Sequence, residues 1–143
     1  MEQQPDSEHR RPAGASDDAI AAAGKMSEAL ETLERARGHL YSFHQLIGET
    51  DFALDDVLEL LRACGATELE ERIQSDLLGR NVIAGRWTFQ IIEDFDDSYW
   101  TVFREHERAV REALAGGRRH VYEAEMKERR RTHGRPGHEA RPS

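Results

Sequence analysis

One cysteine, Cys64, is all the thiol chemistry in this 143-residue chain. An internal disulfide and a cysteine-based metal knuckle are both excluded, and a position just before Gly65 suits a cap or a packing role better than a nucleophile. Lysine is nearly missing too: eighteen of the twenty basic residues are Arg, and only Lys25 and Lys127 are Lys, a bias that points to a GC-rich bacterial genome. No apolar run approaches the roughly 18–20 residues that span a bilayer. The opening MEQQPDSEHRR has neither the apolar stretch nor the charge order of a signal peptide, so a soluble, cytoplasmic protein without membrane contact is expected. Glycine-rich phosphate loops, a strand-turn-helix setting for a serine nucleophile, paired-cysteine zinc patterns and a dinucleotide fingerprint are all missing. Enzyme is therefore the less expected class, and no cofactor and no metal are expected.

Charge is abundant and unevenly placed. Residues 1–115 hold 12 basic and 24 acidic side chains, a net of -12, whereas residues 116–143 hold 8 basic and 4 acidic, a net of +4. An acidic body repels nucleic acid at long range, which leaves phosphate binding to the basic tail alone.

The apolar residues are spaced for helix. Residues 1–15, with Pro5, Pro12 and Gly14, read as a disordered tail, and Ser16 or Asp17 offers an N-cap. From there Met26, Leu30, Leu33, Arg37, Leu40, His44 and Ile47 recur at steps of 4 and 3, a coiled-coil-like seam along a long first helix. Gly48 is expected to end it. A short helix after Thr50 or Asp51 presents Leu54, Val57, Leu58 and Leu61 and closes at Cys64 and Gly65. Thr67 and Glu70 read as a capping box opening a third helix, with Leu69, Ile73 and Leu77 inward. Gly79 and Gly85 then allow either a reversal or one helix of roughly 48 residues running to Leu114, since a helical glycine costs only about 1 kcal/mol. A reversal is preferred because it folds the next segment back on the first helix. Gly116 and Gly117 end that segment, and residues 118–131 form a basic final helix before a flexible tail at 132–143. The expected fold is all-α: an antiparallel bundle of about four principal helices plus the basic C-terminal one, in a single domain at 16–131.

Six of the ten aromatic residues, Trp87, Phe89, Phe95, Tyr99, Trp100 and Phe103, crowd one segment with Glu93, Asp94, Asp96 and Asp97. On a helical wheel at about 100° per residue, Ile91, Ile92, Phe95, Tyr99, Val102, Phe103, His106 and Val110 share one face. Glu93, Asp94 and Asp97 lie opposite with Arg104, Arg108 and Arg111, as a solvated surface. Asp96 sits at the rim. With Ile47 level with about Ala84, an antiparallel register brings Arg37 within a turn of Asp96, so an Arg37–Asp96 ion pair is expected, with Tyr41 or Tyr99 close by. His44 and His106 are candidate buried histidines. Nineteen residues at 1.5 Å each set their levels about 28 Å apart, too far for one shared metal in one subunit, so each is read as a satisfied core residue. Arg118, Arg119, Lys127, Arg129, Arg130 and Arg131 form the candidate basic partner-binding patch; His133 and His138 are expected to pick up metal only incidentally.

These features favour an intracellular protein–protein interaction or scaffold module without catalysis, assembled as a homodimer and open to a further protein partner. Two other readings stand beside it: a metal- or small-ligand-binding bundle, and a nucleic-acid-associated protein that uses the C-terminal helix.

Overall fold

A computed structural model describes residues 3–141. The chain is all-α. Helix α1 spans Asp17–Ala63, α2 Thr67–Arg72, α3 Thr88–Phe95, α4 Thr101–Ala115 and α5 Val121–Arg130. A π-helical turn at Ile73–Leu77 continues α2, and a second at Asp96–Trp100 joins α3 to α4. Among the described residues no helix is long and apolar enough to cross a membrane.

The first helix does not stop at Gly48. Ser16 caps it, its Oγ accepting from the Ala19 N–H at 3.1 Å, and it runs 47 residues. The inward positions explain why: Ile47, Asp51, Leu54, Leu58 and Leu61 are all buried or half-buried, and they carry the 4 and 3 steps straight through the glycine. Asp51 is a seam position, not a cap. Gly48 lies on the exposed face with open space around it, where glycine weakens a helix without ending it. Termination comes at Gly65, whose φ of +80° needs no side chain. There Gly65 N–H donates to Arg62 O at 3.1 Å and Ala66 N–H to Leu61 O at 2.9 Å, the paired bonds of a Schellman cap.

The chain divides into two compact units, one of residues 1–33 and 100–143 and one of residues 34–99, with α1 contributing to both. In the second unit, contacts join Arg62 to Glu70, Asp51 to Gly79, His44 to Thr88 and Arg37 to Asp96. Numbers fall along α1 as they rise along the returning chain, so Thr67 to Tyr99 all runs antiparallel to α1. The single reversal is at residues 64–66. Residues 79–86 therefore break the helix without turning the chain back: Gly79 and Gly85 take positive φ, and Ile83 and Arg86 form one isolated bridge.

Two further expectations fail here. Thr67 is the first helical residue and Ala66 the cap, with no side-chain capping bond. Glu70 is instead buried against Arg62, while Leu69 and Leu77 are 49% and 48% exposed. Of the expected inward stripe Ile73 is half-buried, and beside Leu69 a paired carboxylate takes the inward position.

In the first unit the core gathers Ile20, Ala23, Ala115 and Val121, with Ala15, Val110 and Leu114 against them. Residues 3–15 make contacts with the rest of this unit. Arg11 makes a bidentate bond to Glu125 at 2.7 and 2.9 Å and reaches Asp17 at 2.7 Å. The C-terminal segment is anchored as well: Arg131 donates to the backbone carbonyls of His138 and Gln3. Arginines thus bind carbonyls and carboxylates at several points in both terminal segments.

Candidate functional site

The π-helical turn at Asp96–Trp100 sets which side chains face inward. A π turn inserts one residue into an α-helical repeat, so positions beyond it rotate by about 100° from a uniform wheel. Ile92, Phe95 and Asp96 point inward up to its first residue, and Trp100, Phe103, Glu107, Val110, Arg111 and Leu114 do so from its last residue on. Tyr99, Val102 and His106, expected inward, are exposed; Trp87 and Phe89 are 56% and 43% exposed. His106 is thus no buried histidine. Its neighbour Glu107 takes the inward place, and Arg111, expected on the solvated side, is only 15% exposed in its side chain.

In the unit of residues 34–99, Arg37 meets Asp96 in a bidentate pair. Arg37 Nε donates to Oδ1 at 2.7 Å and Nη2 to Oδ2 at 2.9 Å, and the guanidinium lies 5.1 Å from the centre of the Tyr41 ring. The Arg37 hydrogen bonds hold the Asp96 carboxyl below its ordinary range, burial opposing them and the guanidinium charge adding to them. The side chains are 23% and 21% exposed, between a surface pair and a fully buried one. Alanine at either position is expected to cost about 2 kcal/mol. Because the folded-state pKa of Asp96 is depressed, its contribution is present above the unfolded value and lost as pH falls through the folded one. The acid limb of a stability–pH curve, at roughly pH 4 and below, should therefore flatten in Asp96→Asn. A curve of unchanged slope would contradict this. One turn pair along, His44 Nδ1 lies 2.6 Å from Thr88 Oγ1, a hydrogen bond that satisfies the ring at the start of α3.

In the other unit, Glu107 is 8% exposed. Its Oε1 accepts from Ser27 Oγ and from Arg111 Nε, both at 3.1 Å, and Arg111 Nη1 donates to Gly117 O at 2.9 Å. These groups floor an open cleft of about 680 Å³, lined further by Glu31, Arg104, Arg108, Arg119 and His120. At one side of it, single donor atoms of Glu31, His120 and Glu123 lie within 4.8 Å of one another. No local signal in the sequence marks this trio, because 89 residues separate Glu31 from His120 and no motif spacing links them. His120 is the N-cap of α5 in a left-handed conformation, φ 58°.

The basic patch is broken up by the fold. Arg118 donates to Arg10 O at 2.7 Å. The Arg131 side chain is 5% exposed and paired with Glu128, which leaves Arg119, Lys127, Arg129 and Arg130 as the exposed members. Cys64 is exposed, its Sγ against Leu61 O at the end of α1. No family model, no curated protein and no solved structure matches the chain.

Proposed function

We propose that the chain is a helical protein–protein interaction module, without catalytic activity, that assembles as a homodimer through α1 of the unit at residues 34–99. The observation that carries this reading is apolar surface. In that unit only Leu58 and Ile92 are buried hydrophobic residues, while Phe43, Leu46, Val57 and Leu60 are 41%, 57%, 38% and 69% exposed and Phe52 is 76% exposed. Phe43, Leu46, Thr50, Ala53, Val57 and Leu60 repeat at steps of 3 and 4, a second stripe beside the seam that faces α2 and α3. A stripe at this spacing is the pattern by which one helix packs along another, and contiguous exposed apolar surface marks an interaction site. A second copy presents the same spacing and needs no other partner to cover it.

Light-scattering mass across a sizing column tests the proposal. The parent is expected to elute at twice 16.3 kDa, and the Leu46→Glu/Leu60→Glu variant at the monomer mass with unchanged helicity by circular dichroism. A parent that runs as a monomer at tens of micromolar refutes the dimer.

A further inference from the structure

We propose that Glu31, His120 and Glu123 bind a divalent transition-metal ion, with Zn²⁺ the best match to the donor set. Glu31 comes from α1, His120 caps α5 and Glu123 stands in its first turn. The fold thus converges two carboxylates and an imidazole from distant parts of the sequence. One donor atom from each lies within 4.8 Å of the others. Ligands about 2.0–2.1 Å from a tetrahedral zinc stand roughly 3.3 Å apart, so modest side-chain rotations close the site.

Electrostatics supplies the second argument. The fold holds the Glu31 and Glu123 carboxylates together, and among the described residues neither forms a salt bridge with Lys or Arg. Of the arginines that line the same cleft, Arg104 lies over the Trp100 ring, Arg108 pairs with Glu112 and Arg111 with Glu107, while Arg119 is exposed beside His120. His120 Nδ1 stands 4.0 Å from Glu123 Oε2. Like charges this close repel unless a cation sits between them, and a metal ion is the largest such charge available.

The chemistry narrows the ion. Imidazole with carboxylates suits Zn²⁺, Co²⁺ or Mn²⁺, whereas Ca²⁺ and Mg²⁺ prefer all-oxygen sets. Three protein ligands leave a coordination position free, and Glu31 and His120 both line the open cleft, so water or a small anion has access to it. This is the arrangement of an exchangeable site, not of a closed structural one.

The test is calorimetric titration of Zn²⁺ into the full chain in a non-chelating buffer at pH 7.5, in parallel with a His133→Ala/His138→Ala variant that removes the tail histidines. One ion per chain is expected at micromolar concentration in both. Glu31→Gln and His120→Gly should each weaken binding at least tenfold. Glycine is chosen because it accepts the left-handed backbone at residue 120, so His120→Gly should keep its helicity and lose only the ligand. Binding that disappears with the tail histidines, or that persists unchanged in His120→Gly, overturns the site. So does an affinity no better than millimolar.

Discussion

Gly24→Ala is expected to destabilise the protein by about 1–2 kcal/mol, the reverse of what helix propensity alone gives. In an open helical position the change from glycine to alanine gains about 0.5–1 kcal/mol. Gly24 is buried, however, and a Cβ placed there would stand 2.7 Å from both Cβ and Cγ of Tyr122. The tyrosine Cβ is fixed by the backbone, so no rotamer change clears it; α5 itself must move away from α1. Overpacking of this kind costs about 1–3 kcal/mol, and it threatens the contacts that α5 brings, Val121 in the core and Glu125 on Arg11. Gly38 and Gly48 are internal controls. Each lies on α1 with nothing within 4 Å of an added Cβ, so Gly38→Ala and Gly48→Ala should both stabilise. Urea denaturation followed by circular dichroism separates the cases, and amide exchange in α5 should speed up in Gly24→Ala alone. If Gly24→Ala gains stability as Gly48→Ala does, the close approach of the two helices is refuted.

The same glycines show what the sequence could and could not convey. Gly48 is a stop by propensity, yet the seam continues through it from Ile47 to Asp51 and Leu54. The spacing carries that information, and a polar seam residue, Asp51, masks it by resembling a cap. Gly79 and Gly85 likewise break the helix without reversing the chain. The two missing reversals cancel: with neither of them, α3 still runs antiparallel to α1, which is how Arg37 meets Asp96 although the intervening path differs from the expected one. Periodicity fixes the relation between two amphipathic segments more firmly than the connections between them. Beyond Asp96 a uniform 3.6-residue wheel failed because the helix takes in one extra residue. Steps of 4 and 4 from Ile92 to Asp96 to Trp100 are the trace of that insertion, and the aromatic residues on either side obscured it. The trio of Glu31, His120 and Glu123 had no local signature, since it exists only once α5 is laid on the first turns of α1.

That extra residue leads to the largest expected loss, from Glu107→Ala. It replaces His106 by Glu107 on the inward face, so a carboxylate 10% exposed in its side chain stands beside an arginine 15% exposed. Burying such a pair is tolerable only while both partners are present and their remaining valences are met. Here they are met: Ser27 answers Glu107 from α1, and Gly117 O answers Arg111 at the end of α4. Truncating Glu107 removes the link to α1 and strands the guanidinium with one carbonyl, at a cost of about 3 kcal/mol. Total stabilities of about 5–15 kcal/mol make that a large fraction. Glu107→Gln keeps an acceptor for Ser27 and fills the same volume, and should lose about half as much. The double change Glu107→Met/Arg111→Met removes both charges while retaining apolar bulk, and is expected to recover most of the stability. Urea midpoints for the three variants decide the matter. Recovery in the double variant identifies the stranded charge as the source of the loss, whereas an equally unstable double variant assigns it to the Ser27 link between α1 and α4.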